Sequence, residues 1–369
     1  MLETSSLRTK NLAMRHFPKI LRPISPLTRC FLLAALLASP CLGTLAAAGA
    51  VTYTVQALRI PRNAFSGQAS AINDDGVSAG WYETINASVA VSWSADNQLT
   101  LLGTLPGLPS ALANDINQAG TIVGFAFTND FLISRAFIWK SDTGMQALDD
   151  LGGNASLAQA INADGTVAGW SFDPAGVLHA VKWDASGVLT DLNPEEGDIS
   201  EALGINDAGD IVGWVFPAGG SASLAHLWRH DGTELDLGTL GGPGSQAFGV
   251  NNRLTIVGVS DRPSPQPPTA FEWKPATGMH SLRMGGNSQA LAISDLGRVV
   301  GLRVINEGVL GLTRFHGPPE VLPDLAPNKP PASGPTGINS CGTIVGSSSS
   351  PDPTNGNPVP AIWTKVTCD

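Results

Sequence analysis

Charge is scarce in this chain, and basic charge is scarcer. Asp, Glu, Lys and Arg together make up 14% of the 369 residues, while Gly numbers 42 and Pro 27. That balance suits turn-rich β structure better than helices, because Gly destabilises helix interiors. The length is ample for a large core and would hold two ordinary domains on size alone.

The run FLLAALLASPCLG (31–43) is too short, and too broken by Pro40, to span a bilayer comfortably. It does have the shape of a secretory leader. Arg8, Lys10, Arg15, Lys19, Arg22 and Arg29 precede it, and the small residues TLAAAGA (44–50) follow. Cleavage is expected near Ala48 or Ala50, giving a signal peptide over 1–48 and a mature chain over 49–369. An uncleaved anchor is the alternative, and Met14 is an alternative start. Lipid attachment at Cys41 is disfavoured by Pro40 before it.

Loss of the leader deepens the shortage of positive charge. Residues 1–48 hold six Lys and Arg and one acid, Glu3, which leaves 15 Lys and Arg against 30 Asp and Glu. A net charge of −15 argues against nucleic acid or an anionic membrane as partner.

Cysteine is rare as well. Of four, Cys30 and Cys41 leave with the leader. Cys341 and Cys368 remain, and an even pair in a secreted chain is a disulfide candidate.

Familiar catalytic phrases are scarce. No Walker-type loop occurs, so phosphoryl transfer has no sequence support, and the one G-x-S-x-G, GVSAG (76–80), is part of the repeated phrase described below. The mature histidines are His179, His226, His230, His280 and His316, and only His226 and His230 have metal-ligand spacing. Their segment, HLWRH, straddles a predicted strand and turn, so the rings need not share a face. NDDG (73–76) and NDAGD (206–210) suggest calcium loops, but each carries only one or two carboxylates and NQAG (117–120) carries none. No cofactor and no metal site are expected.

What the sequence has in abundance is one phrase. INDAGDIVGW (205–214) returns as AINDDGVSAGW, DINQAGTIVGF and AINADGTVAGW. Its anchors are Ile72, Ile116, Ile161, Ile205, Val250, Ile293 and Ile338, spaced by 43 to 45 residues. A Gly follows each anchor by eight residues, at Gly80, Gly124, Gly169, Gly213, Gly258, Gly301 and Gly346. An aromatic follows later, at Trp93, Trp139, Trp183, Trp228, Trp273, Phe315 and Trp363, and is expected in the core in every copy.

Each unit holds four short β-type segments. In the fourth they are 200–205, 210–214, 224–228 and 234–240, the first two joined by NDAG. Asn there supports an Asx turn and Gly209 a positive φ, which makes the step a tight hairpin. The sixth copy has Ser294 for Asn and the fifth has Leu254 for Gly. The fifth hairpin is therefore expected to be the least regular.

Seven units of four strands predict an all-β, seven-bladed β-propeller. A straight solenoid is the alternative. The strand TYTVQAL (52–58) precedes the first unit, and nothing after Trp363 supplies a fourth strand for the seventh. Strand 52–58 is expected to complete the last blade and close the ring, removing exposed edges.

The repeat resembles that of the HAF-repeat family, described as extracellular repeat proteins. LGTLGGPGSQAFGVNN (237–252) and AINADGTVAGW (160–170) look like the first part of the family's phrase. HAVKW (179–183), AHLW (225–228), RAFIW (135–139) and TAFEW (269–273) are similar to its His-Ala-Phe-x-Trp part. The resemblance covers roughly residues 65–365 and implies no known reaction.

Function is expected in the loops where the copies disagree. The Gly-to-aromatic interval varies from 13 to 17 residues, and the first hairpin never changes. NPEEGDIS (193–200) places Glu195, Glu196 and Asp198 on the same side as those variable loops, as candidate ligand-face acids. Trp81, Trp170, Trp214 and Phe125 are expected between blades rather than as a sugar-stacking ring. The reading is a secreted, monomeric, non-catalytic binding or scaffold protein, extracellular or periplasmic, with a carbohydrate or protein ligand. The alternatives are a carbohydrate-active propeller enzyme using loop or channel carboxylates, and a calcium-stabilised adhesin.

Overall fold

Each blade's four strands follow from the repeat, and blade 4 shows how. In the computed structural model its strands are Ile199–Ile205, Ile211–Phe216, Leu224–Trp228 and Glu234–Asp236. They pair as an antiparallel meander in that order. The structure describes residues 52–192, 197–315, 317–352 and 356–366. The body treated below is Tyr53–Lys365. The expected leader and Cys368 lie outside the described residues, as do Glu195, Glu196 and His316.

Seven four-stranded sheets are present, and no helix occurs among the described residues. Each sheet's first strand neighbours the first strands of the two flanking blades, so the seven inner strands close a ring. The protein is a seven-bladed β-propeller. Blade 7 joins Gly334–Ile338, Ile344–Ser349 and Pro358–Val366 to Thr52–Ala57 as its outermost strand. Closure by the N-terminal strand is what the sequence predicts.

The core lies between the blades. Apolar clusters fill all seven junctions between neighbouring blades. Between blades 3 and 4, for instance, Ala168 and Ala180 meet Ala202, Ile211 and Trp228. A blade buries both faces this way, which is why the strands read as apolar runs with small residues interspersed.

The Gly eight residues after each anchor has a steric cause. Every inner strand has a register shift two residues before the anchor, at Ser70, Asn114, Gln159, Leu203, Phe248, Leu291 and Thr336. The shift brings the inner strand's carbonyl against the second strand. A Cβ on Gly213 would lie 1.8 Å from the Glu201 carbonyl oxygen, and at the other six positions the distance is 2.0–2.1 Å. None of the seven needs a positive φ. Their freedom is one of space, not of torsion.

A serine in the inner strand ties each middle blade to the one before. The Oγ of Ser156, Ser200, Ser245 and Ser288 accepts the backbone N–H of Ala136, Ala180, Ala225 and Ala270, at 2.8–3.1 Å. All four hydroxyls are buried. Third-strand tryptophans add a further tie. The indole N–H of Trp93, Trp183 and Trp363 donates to the carbonyls of Arg59, Asp149 and Pro323, each in the connection leaving the preceding blade, at 2.7–2.8 Å.

Two expectations need correction. In blade 6 the residue opposite Val299 is Arg314, where the other blades place Trp. Phe315 comes one residue later, is 38% exposed, and lies under the Arg298 guanidinium at 4.9 Å. It is not a core anchor. The fifth hairpin is also not irregular. Leu254 takes φ 53° and donates to the Asn251 carbonyl at 3.0 Å, the bond that Gly makes in other copies. Neighbouring constraints hold Leu in a conformation that costs roughly 1–2 kcal/mol.

Candidate functional site

The chain's path divides the propeller into two rims. First-to-second and third-to-fourth turns lie on one side. Second-to-third loops and blade-to-blade connections lie on the other. The first is called here the turn side and the second the loop side.

At the centre of the turn side the seven hairpins surround a cavity of about 250 Å³. Each Asn works twice. Its Oδ1 accepts the N–H four residues on, as when Asn162 takes the Thr166 N–H at 2.8 Å. Its Nδ2 reaches the next blade and donates to the equivalent backbone carbonyl. Asn73 reaches Asn117, Asn117 reaches Asn162, Asn162 reaches Asn206, Asn206 reaches Asn251, and Asn251 reaches Ser294, at 3.1–3.3 Å. Asn339 reaches Asn73 at 3.1 Å and carries the ring across its closure. Ser294 has no amide to reach Asn339, and its Oγ only accepts the Arg298 N–H. The Asx turn read from the sequence is half of the residue's role.

A second ring runs outside the first. The side chains of Gln118, Asp207, Asn252, Asp295 and Asp74 accept the N–H of Asp74, Ala163, Asp207, Asn252 and Ser340, at 2.8–3.0 Å. The second oxygens of Asp207 and Asp295 take the Asn252 amide, and that of Asp74 takes the Ser340 hydroxyl. The carboxylates of Asp74, Asp207 and Asp295 are thus committed to binding one blade to the next.

Two inner-strand acids stand apart. Asp115 accepts the N–H of Ile116 and, from blade 3, of Ile161, both at 2.8 Å. Burial pushes its pKa up to about 7, against the pull of those two donors. Glu201 lies opposite Trp214 and accepts its indole N–H at 3.2 Å. Burial raises it too to about 7, opposed by that hydrogen bond. Both were legible in the repeat. Asp115 stands where the other six copies have Ala or Gly, and Glu201 where they have Gln, Leu or Gly.

Asp198 starts blade 4 on the loop side, but it is 5% exposed and its Oδ1 accepts the Ala218 N–H at 2.6 Å. The histidines do not converge. His179 Nδ1 meets Asp191 at 2.7 Å, with Asp173 3.9 Å from its Nε2. His226 Nε2 faces Glu234 at 3.4 Å, and His230 Nδ1 meets Asp210 at 2.9 Å. His226 and His230 hold different acids, as their straddling segment suggests. Among the described residues no group of three or more His, Cys, Asp or Glu is placed to hold a metal. Cys341 sits exposed in the last hairpin.

Trp81, Phe125 and Trp214 are buried, and packing between blades is seen at Phe125 and Trp170. Phe125 and Phe127 of blade 2 pack against Leu157 and Trp170 of blade 3.

The loop side differs from blade to blade. Its second-to-third loops include 84–87, which carries Ile85, 128–133 with Phe131, Leu132 and Ile133, and the Pro-rich 261–268.

Against known proteins, this architecture is the shared feature. No family model matches the chain. No curated protein matches it either. Solved structures do. The β-propeller domain of the Trilobed protease from Pyrococcus furiosus aligns over 82% of this chain and 98% of its own, with TM-score 0.56 and 12% identity. Oligogalacturonate lyase from Vibrio parahaemolyticus aligns over 85% and 96%, with TM-score 0.51 and 12% identity. A streptogramin B lyase aligns over 85% and 98%, with TM-score 0.50 and 10% identity. At such identities the likeness is one of fold, and the three activities differ.

Proposed function

We propose that the protein is a secreted, non-catalytic binding or scaffold module of the HAF-repeat type that holds its ligand on the loop side. The observation supporting this is the contrast between the rims. The ring of turn-side Asn side chains, with Asp74, Asp207 and Asp295, is spent on blade-to-blade hydrogen bonds. The loop side carries segments of unequal length and chemistry on a rigid frame, where binding groups usually sit. The leader-like segment over 31–43 supports an extracellular or periplasmic location. The test is a binding screen of the mature protein against immobilised polysaccharides and polypeptides, repeated with loop-side and turn-side variants. Binding lost only on loop-side substitution supports the reading. A ligand insensitive to every loop-side change refutes it.

A second reading, a carbohydrate-active enzyme, has one observation in its favour. Burial raises the Glu201 carboxyl to about 7, so a substantial fraction stays protonated near neutral pH, as a general acid needs. Sugar release abolished by Glu201→Gln in a folded protein would favour it over the first.

A further inference from the structure

The seven inner strands enclose a central channel. Each inner strand pairs with its blade's second strand along one edge, and its faces pack against the flanking blades. Solvent therefore reaches it from the centre. At the bulge position, two residues before the anchor, all seven side chains are partly exposed, from Ser70 to Thr336. The residue before each, Ala in six blades and Pro335 in the seventh, is buried. The bulge side chains thus line the channel. The residue four before the anchor, where Gln68 and Glu201 stand, lies one level nearer the loop side. It too is partly exposed in every blade but the third, where Leu157 is buried.

Each level of this wall has two kinds of surface. At the bulge level Leu203, Phe248 and Leu291 form an apolar arc on blades 4 to 6. Thr336, Ser70, Asn114 and Gln159 form a hydrogen-bonding arc on blades 7 and 1 to 3. At the outer level the apolar residues are Leu112 and Leu157 on blades 2 and 3, and Glu201, Gln246 and Gln289 follow on blades 4 to 6.

Much of the wall's hydrogen-bonding capacity is left over. Asn114 Nδ2 donates to the Ala158 carbonyl at 2.9 Å, and Thr336 Oγ1 to the Ala69 carbonyl at 2.6 Å. Gln246 Nε2 donates to Ser223 Oγ at 3.4 Å. Gln68, Ser70, Gln159 and Gln289 have no side-chain hydrogen bond among the described residues, and none of their polar atoms is sealed from solvent. Glu201 has the single bond from Trp214. On the turn side, by contrast, the Asn amides are spent on neighbouring blades.

The chemistry of the wall indicates its occupant. None of its fourteen positions carries Lys, Arg, His or Asp, and burial raises the one acid, Glu201, to about 7. Charged ligands find no strong counter-charge there. Carboxamides and hydroxyls both donate and accept, which matches hydroxyl groups that do the same. Apolar surface beside a few polar groups suits a sugar ring, with C–H faces and hydroxyls at its edge. An extended peptide is matched by the straight edge of a strand. These groups are instead set around a ring, where they meet hydroxyls radiating in several directions.

We infer that the loop-side half of the channel binds a neutral saccharide, with Gln68, Gln159, Glu201 and Gln289 on its hydroxyls and Leu203, Phe248 and Leu291 against its C–H faces. This rests on the binding-module reading and names the ligand class and its place on the loop side.

The test is calorimetric titration of the mature protein with cellohexaose, maltohexaose and mannohexaose, beside hexagalacturonate and an uncharged Gly/Ser hexapeptide. At least one neutral hexaose should bind, with a Kd indifferent to salt. That Kd should rise at least tenfold in Q68L/Q289L and in Q159L. Other blades carry Leu at these positions, as at Leu112 and Leu203, so both variants should keep the parent melting temperature. Retention on the insoluble polysaccharide, competed by its hexaose, would mark a chain terminus as the natural ligand, and hexaose binding without retention a free oligosaccharide. Equal binding by the variants overturns the inference, as does equal or better binding of hexagalacturonate or the peptide, or no binding of any neutral hexaose. If the ligand screen then still finds binding lost on substitution in the loop-side loops, the binding-module reading stands without this inference. If it finds none, both fall.

Discussion

The side-chain amide of Asn339 donates to the backbone carbonyl of Asn73 at 3.1 Å, joining residues 266 positions apart. The same bond links residues 44 apart between Asn162 and Asn206. Closure of the ring therefore uses the contact that repeats inside it. Ser340, Thr336 and Asn339 of blade 7 all bond to blade 1. The gap in the Asn ring falls one junction earlier, at Ser294.

Ser294→Asn should fill that gap. The new amide is placed to reach the Asn339 carbonyl, while its oxygen keeps the Arg298 N–H. A gain of about 1 kcal/mol is expected from one added hydrogen bond. Asn162→Ala removes two such bonds and should lose about 2 kcal/mol. Urea unfolding midpoints check both, and a loss of stability in Ser294→Asn would contradict the ring's role.

Gly213→Ala and Gly209→Ala should differ sharply. At Gly213 the Cβ would lie 1.8 Å from the Glu201 carbonyl oxygen, so a strand must move. A loss above about 3 kcal/mol, or failure to fold, is expected. Gly209 has φ 84° and its Cβ would meet only the His230 Cβ at 3.5 Å. Its loss should be about 1–2 kcal/mol. Soluble yield and thermal melts separate the two cases.

Ser245→Ala leaves the Ala225 N–H buried without its acceptor. The Gly238 carbonyl loses a donor as well. The expected loss is about 1–3 kcal/mol, and Ser245→Thr should recover part of it if the extra methyl is accommodated. Hydrogen exchange at the Ala225 amide gives a local readout.

Stability should depend on pH through Glu201 and Asp115. Both carboxyls have folded values near 7, above their unfolded values near 4. The folded state thus binds more protons between those limits. Their contribution is complete below the unfolded value and is lost as pH rises through about 7. Burial lowers the pKa of His226, which gives the opposite slope near pH 6.5. The comparison must therefore be internal. Glu201→Gln should lose less melting temperature than the parent between pH 5 and pH 8, by a few degrees. Equal slopes would mean Glu201 is ionised at neutral pH.

Cys341 and Cys368 are proposed to pair in the secreted protein. Thiol titration of the denatured mature chain should find no free thiol, and two free thiols would remove the proposal.

The sequence by itself determined the blade count, the four strands per blade and the closing strand, because each follows from spacing along the chain. It also located the Gly of every copy and the Asn of six, but not why they are there. The Gly answers to a carbonyl displaced by the inner-strand bulge. The Asn answers to a neighbour 44 residues away. Neither partner is near in sequence, so local turn chemistry explained only half of the Asn. Phe315 and Leu254 show the same limit in reverse. A residue type fitted to a repeat position predicted a buried ring and an irregular turn, and strand register and surrounding hydrogen bonds decided otherwise. The channel wall had the same limit. Gln68 and Gln289 are 221 positions apart in the chain, and only closure of the ring sets them on one wall.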